Sequence, residues 1–117
     1  MGRRSSTDEG SPLTPLMFQI LVALSGGDQH GYAILQEIEE RTGGAFRIGA
    51  GTLYRAIKQL VDADLIEEIA GDDGHSQRRT YRITQQGRER AAADARVFRD
   101  IVAWADEARL SETKVRS

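Results

Sequence analysis

The feature that most constrains the fold is a change in the hydrophobic period near residue 65. Before this point, apolar residues recur at the spacing of one helix face. After it, the short β-prone segments "LIEEIA" and "RRTYRI" flank "GDDGHSQ", which is rich in residues that favour turns. The change predicts a group of helices followed by a β-hairpin whose tip is longer than a two-residue turn.

Three helices are expected before the hairpin. Thr14 and Pro15 indicate the start of the first, because a hydroxyl can cap a helix and proline fits its first position. Gly43 and Gly44 are expected to end the second, which runs through "HGYAILQEIEER". The positions expected to face the core are Leu16, Ile20, Ala23 and Leu24 in the first helix, Tyr32, Leu35 and Ile38 in the second, and Leu53, Ala56, Ile57, Leu60 and Val61 in the third.

A fourth and longer helix is expected after the hairpin, capped by Thr84 and continuing to about Leu110. Three helices, a hairpin and a long helix are the element order of a winged helix-turn-helix with an added arm. The predicted fold is therefore mainly α with a small β-hairpin (α+β), a winged helix-turn-helix with a long C-terminal dimerisation helix. Its expected divisions are a disordered arm (1–12), the winged DNA-binding domain (13–84), the dimerisation helix (85–110) and a frayed tail (111–117).

Length and composition narrow the class of protein. A chain of 117 residues suits a single domain with a modest core. Cysteine is absent, which leaves no disulfide framework and fits a reducing compartment. The paired Arg3 and Arg4 are not followed by an apolar core, and no apolar run approaches the roughly 18 residues of a membrane span. We therefore expect a cytoplasmic protein with neither an export signal nor a membrane segment.

Positive charge is concentrated in two segments, although the net charge of the chain is −2. Neither segment contains an acidic residue. The cations are Arg47, Arg55 and Lys58 in residues 46–58, and Arg78, Arg79, Arg82 and Arg88 in residues 74–88. Local asymmetry of this kind, rather than the total charge, indicates a surface that binds nucleic acid.

The third helix is the candidate recognition element. At about 100° per residue, Gly51, Tyr54, Arg55 and Lys58 lie opposite the apolar stripe, in the half of the helix that would enter a major groove. Arg55 can pair with a guanine edge, whereas Lys58 more naturally meets phosphate. Gly49 and Gly51 would let a sugar–phosphate strand approach the helix start. The alternatives are that the glycines only form a turn, that Tyr54 packs against Arg47 or the second helix, and that the cations are merely solvated.

The hairpin is the candidate wing. Strand alternation places Tyr81 and Ile83 toward the core, and Arg78 and Arg79 follow the tip, where a wing would reach phosphates or the minor groove. Gln77 is a weaker candidate, and a solvated tip is the alternative. The residues expected to contact DNA are Gly49, Gly51, Thr52, Tyr54, Arg55 and Lys58 in the third helix and Gln77, Arg78 and Arg79 in the wing.

Two adjacent apolar stripes on the last helix cover more of its circumference than packing against one neighbour requires. One runs through Ala91, Ala95, Phe98, Val102 and Ala105, and the other through Val97, Ile101, Trp104 and Ala108. A homodimer is therefore expected, with Phe98, Ile101, Val102, Ala105 and Ala108 at its interface. The alternative is a monomer whose helix folds back over a larger core.

Three segments in this order, "HGYAILQEI", "GAGTLYRAIKQLVDADLIEE" and "RRTYRITQQGRE", resemble the PadR family of bacterial transcriptional regulators. The resemblance extends from about Leu13 to Leu110. It implies a winged helix-turn-helix dimer, usually a repressor, on a pseudo-palindromic operator. The single long C-terminal helix resembles the short subclass, in which that helix builds the dimer. Many members have proline where this chain has Arg55, so the resemblance implies no role for Arg55.

The family resemblance identifies no effector, but some similar regulators suggest a hypothesis. Some similar regulators stack flat aromatic ligands on a tryptophan of the last helix, and here Trp104 could do so with Phe98 and Ile101 as walls. An interface anchor without a ligand is the alternative role of Trp104. The chain has no cysteine, its two histidines lie far apart and no nucleophile motif is present. We therefore expect no enzyme, metal or cofactor, and the competing function is a protein-interaction adaptor on a winged-helix scaffold.

Overall fold

A computed structural model describes residues 12–69 and 79–109. These residues form four helices and three short strands, and the predicted mainly α winged helix-turn-helix architecture is confirmed. The elements are α1 (Pro15–Ser25), β1 (Gln29–His30), α2 (Gly31–Arg41), α3 (Ala50–Asp62), β2 (Ile66–Ile69), β3 (Thr80–Ile83) and α4 (Gln85–Glu107). The expected N-terminal arm up to residue 11, the wing tip with Gln77 and Arg78, and the expected tail lie outside the described residues.

The first helix begins as its sequence predicts. The Thr14 hydroxyl accepts a hydrogen bond from the backbone N–H of Met17 at 3.1 Å, and Pro15 occupies the first turn. This arrangement satisfies one of the N–H groups that a helix start leaves without a partner. The buried face of α1 carries Ile20, Leu21, Ala23 and Leu24. The start and the inward face of α1 are therefore largely local properties of its sequence.

The second helix differs from prediction at one position. Tyr32 was expected to face the core, but its side chain is 65% exposed, so this expectation is wrong. Gly31, Ile34 and Ile38 form the buried stripe of α2, and Tyr32 lies about 100° around the helix from Gly31. The predicted end is confirmed, because Gly43 (φ 60°) and Gly44 (φ 88°) leave the helix in the left-handed conformation that favours glycine.

The third helix buries the predicted stripe. Leu53, Ala56, Ile57 and Leu60 are buried, and Val61 is partly buried against the same cluster. The chain enters α3 from the link after α2, where Phe46 and Ile48 also pack on the core. Burial of one face leaves the opposite face of α3 toward solvent.

The strands form one antiparallel sheet in the order β1–β3–β2. The predicted β2–β3 hairpin is confirmed, and Tyr81 and Ile83 are buried as strand alternation predicts. The third strand was not predicted. Gln29 pairs with Tyr81 and His30 with Thr80, but two residues are too few to give an alternating pattern in the sequence.

Thr84 and Gly87 join the hairpin to α4. The Thr84 hydroxyl accepts a hydrogen bond from the Gly87 N–H at 3.0 Å, which is the predicted cap. The Thr84 N–H donates to the Leu65 carbonyl at 3.1 Å, so the cap is itself held against the end of the α3–β2 turn. A Cβ on Gly87 would overlap the Leu65 carbonyl oxygen and lie 2.8 Å from a side-chain carbon of Ile83. This close approach requires glycine.

The chain divides into two compact units, Leu13–Ala91 and a second that includes the rest of α4. The first contains the core described above. In the second, large apolar side chains of α4 are exposed, with Ile101 at 47%, Val102 at 59% and Trp104 at 71%. The helix ends at Glu107, slightly before the predicted position. Within residues 12–69 and 79–109, no helix is both long and apolar enough to cross a lipid bilayer.

Gly87→Ala is expected to lower the free energy of unfolding by about 2 kcal/mol, because overpacking against a backbone carbonyl must shift the first turn of α4. Gly51→Ala is the matched control, since a Cβ there meets only the end of Arg55 at 3.9 Å. It should raise stability by about 0.5–1 kcal/mol through helix propensity. Urea unfolding followed by circular dichroism measures both. A Gly87→Ala protein as stable as the parent would contradict the close approach.

Candidate nucleic-acid interface

The exposed face of α3 carries the residues that the sequence predicts there. Gly51, Thr52, Tyr54, Arg55 and Lys58 are all exposed, on the side away from Leu53, Ile57 and Leu60. The Arg55 guanidinium lies over the Thr52 hydroxyl at 3.4 Å, a long contact between exposed groups. The fold thus brings two cations and two hydroxyl-bearing side chains onto one accessible surface.

The start of α3 is open. Gly49 is the N-cap residue with φ −79° and ψ 163°, and no side chain caps the helix. A Cβ on Gly49 would meet nothing within 4 Å, and one on Gly51 would meet only Arg55. Neither position has the positive φ that requires glycine. The internal packing and the backbone conformation therefore explain neither glycine.

Tyr54 packs across the start of α2. A Cβ on Gly31 would overlap the Tyr54 hydroxyl and lie 2.7–2.8 Å from two ring carbons, so the ring lies directly over Gly31. The side chain remains 40% exposed. The sequence left open whether Tyr54 contacts DNA or packs against the second helix. The structure shows the packing, and part of the ring remains accessible to a ligand.

Lys58 has a carboxylate partner within α3. Its Nζ atom lies 3.3 Å from Oδ2 of Asp62, one helical turn later, and both side chains are mostly exposed. Such i, i+4 pairs contribute only a few tenths of a kcal/mol because water screens both charges. Lys58 is therefore weakly held and accessible.

The base of the wing carries a second ion pair. Nε of Arg79 lies 3.2 Å from Oε2 of Glu68 on the adjacent strand. The charge of Arg79 also acts on the Tyr81 hydroxyl. Burial raises the pKa of the Tyr81 hydroxyl, and the nearby charge of Glu68 raises it further, while Arg79 acts in the opposite direction. Arg79, Glu68 and Tyr81 thus form a connected polar group.

Arg82 has a structural partner that the sequence did not suggest. Its Nη2 atom lies 3.0 Å from Oδ2 of Asp28, and Nε lies 3.4 Å from Oδ1. The pair connects β3 to the turn before β1, and His30 is joined to Thr80 by a 3.2 Å contact on the same strand pair. Arg82 belongs to the second basic segment of the sequence, but its ion pair joins β3 to the turn before β1.

The residues predicted for the second half of α4 differ in accessibility. Phe98 and Ala105 are partly buried, whereas Ile101, Val102, Trp104 and Ala108 are exposed. Ile101, Trp104 and Ala108 follow one another at helical spacing, as the sequence predicts. An accessible apolar stripe is therefore present on this unit.

Comparisons with known proteins agree with this architecture. A PadR family transcription regulator from Clostridium difficile R20291 has the same fold, with a TM-score of 0.71 at 24% identity over 80% of this chain and 97% of its own. PadR of Bacillus subtilis, solved in complex with operator DNA, gives a TM-score of 0.60 at 23% identity over 68% of this chain and 46% of its own.

A relative with higher identity is an uncharacterised protein from Lysinibacillus sphaericus. It is 43% identical over 63 residues, which are 52% of this chain and 57% of the relative. The chain thus spans little more than half the length of this curated relative. The sequence model described as "Transcriptional regulator PadR-like family" matches residues 20–93, the region of α1–α3, the sheet and the start of α4. The chain therefore belongs to the PadR-like family of transcriptional regulators.

Proposed function

We propose that the protein regulates transcription by binding a specific DNA sequence as a homodimer, with α3 in the major groove and the wing on the flanking backbone. The observation that carries this proposal is the start of α3. Gly49 and Gly51 are required by neither the packing nor the backbone conformation, and they stand at the start of the helix that carries the exposed Arg55 and Lys58. An external strand approaching this helix start would account for the missing side chains.

The charges support the same surface. Arg55 and Lys58 lie on one face of α3, and Arg79 at the base of the wing is about half exposed. Arginine can pair with a guanine edge through two hydrogen bonds, and lysine suits phosphate as a point charge. A protein-interaction adaptor would use a surface of this kind without the steep loss of DNA affinity with salt that phosphate contacts cause.

The DNA assignment is tested by selecting bound duplexes from a random pool and measuring affinities by fluorescence anisotropy at several salt concentrations. Arg55→Ala should cost about 1–3 kcal/mol at one base pair and relax specificity there. Lys58→Ala should weaken all duplexes similarly and reduce the salt slope by about one. Gly51→Ala should weaken binding without lowering fold stability, because its Cβ would occupy the space of the approaching strand.

Arg41→Ala is the matched control. It removes a cation from the last turn of α2, whereas α3 contacts the first turn of α2 through Tyr54 and Gly31. It should bind like the parent. If Arg55→Ala keeps the parent's preference at every base pair, Arg55 does not read the groove. If the parent binds no duplex in a salt-dependent manner, the adaptor function is favoured.

The proposed homodimer rests on the exposed apolar side chains of α4. Ile101, Val102 and Trp104 present more apolar surface than a solvated helix normally carries, and Phe98, Ala105 and Ala108 extend the same region. Association of two copies along this helix would remove that surface from water. A dimer with two-fold symmetry suits an inverted repeat in the operator, whose half-sites lie about 34 Å apart on the DNA. Binding of the dimer to such an operator would repress transcription.

Ile101→Asp should convert the dimer to a monomer, because a carboxylate buried at the interface costs about 3 kcal/mol or more. Because each dimer receives two such carboxylates, the dissociation constant should rise by at least about a hundredfold. Sedimentation equilibrium at micromolar concentration measures the change. Ala103→Asp introduces the same carboxylate at another exposed position of α4 and should remain dimeric. A monomeric parent, or equal behaviour of the two variants, would contradict the interface.

Trp104 is the proposed contact for a flat aromatic effector, with Phe98 and Ile101 as walls. Its side chain is 71% exposed, so an aromatic ring can stack on it. As the only tryptophan of the chain, it reports ligand binding through its own fluorescence. Titration with planar aromatics or phenolic acids should shift or quench the emission, and Ile101→Ala should weaken the response. Unchanged emission across the panel would leave Trp104 as an interface anchor.

A further inference from the structure

The ion pair at the base of the wing lies on a defined face of the sheet. Glu68 is directly opposite Tyr81 in the β2–β3 register, so the two side chains point to the same side. Arg79 precedes Tyr81 by two residues and therefore shares that side. Tyr81 is 3% exposed on this face, which is the one that packs against the helices. The Arg79–Glu68 pair thus lies at the edge of the core-facing side of the wing.

This face also adjoins α3. Leu53, Ile57 and Leu60 of α3 share one buried cluster with Tyr81 and Ile83 of β3. Tyr54 is on the exposed face of α3 next to Arg55. The Arg79 guanidinium is held by the Glu68 carboxylate at the edge of the wing face that packs on this cluster. Both members of the ion pair are about half exposed, at 52% and 43%.

We propose that Glu68 competes with DNA phosphate for Arg79 and thereby sets how much the wing contributes to DNA affinity. This inference rests on the proposed DNA-binding function. An exposed pair of this kind is weak, so a phosphate oxygen can displace the carboxylate. The displaced carboxylate then remains beside the negatively charged backbone and repels it. Because phosphate is present in every sequence, the effect falls on affinity and leaves sequence preference unchanged.

The competition also changes the salt dependence of binding. In the parent, an Arg79–phosphate contact releases a cation from DNA while the freed Glu68 attracts one from solution. Without the carboxylate, only the release from DNA remains. Removing Glu68 should therefore make the affinity fall more steeply with salt, whereas simply removing a distant negative charge should not.

The test compares Glu68→Gln with Glu67→Gln, using a duplex selected by the parent and an unrelated duplex of equal length. Glu67 is the matched control, because it lies one residue away on the other side of β2, opposite Arg82. Glu68→Gln should bind both duplexes about threefold more tightly at moderate salt, with a salt slope steeper by up to about one. Glu67→Gln should change affinity much less. Urea unfolding of both variants verifies that the fold is retained.

A double-mutant cycle with Arg79→Ala isolates the competition. If Glu68 acts through Arg79, Glu68→Gln should give a smaller gain in the Arg79→Ala background, because only the direct repulsion of the DNA backbone by Glu68 is then removed. An equal gain in both backgrounds, or equal gains for Glu68→Gln and Glu67→Gln, would overturn the inference and leave the proposed function standing. Absence of salt-dependent DNA binding by the parent would instead overturn the proposed function together with this inference.

Discussion

The burial of the apolar face of α3 is the constraint on which the rest of the structure depends. Leu53, Ile57 and Leu60 are almost inaccessible to water, and they share one cluster with Tyr81 and Ile83 of β3. Because a helix is stiff, fixing this face also fixes the direction of the opposite face. Because β3 alternates, burying two of its residues fixes the strand on which the wing is built. One hydrophobic cluster therefore positions both parts of the candidate interface.

Local patterns were enough to predict most of the fold. Amphipathic periodicity gave the helices, and the hydroxyls of Thr14 and Thr84 gave two of their starts. Tyr32 was wrongly placed because Tyr32, Leu35 and Ile38 also recur at helical spacing, whereas the stripe that is buried runs through Gly31, Ile34 and Ile38. β1 could not be predicted, because its two residues pair with β3 across about fifty positions and carry no period of their own.

The candidate site could be predicted only in part from the sequence, for a different reason. A helical wheel shows which residues share a face, but it does not show which carboxylates come within reach of them. Arg79 and Arg82 both belong to the second basic segment of the sequence, yet each has its own carboxylate partner, Glu68 for Arg79 and Asp28 for Arg82. Some of the acidic residues that give the chain its net charge of −2 are thus paired with cations of the basic segments. Tertiary contacts decide which of those cations serve the fold.

Four glycines of the described residues fall into two groups with different consequences for sequence variation. A methyl group at Gly87 would collide with the backbone of Leu65, so the scaffold itself excludes other residues there, and a methyl group at Gly31 would displace the Tyr54 ring. Gly49 and Gly51 meet no such obstacle. Substitutions at Gly49 and Gly51 would therefore change the surface at the start of α3 without changing the packing of the core. A library randomised at 49 and 51 would present many different surfaces on one unchanged scaffold.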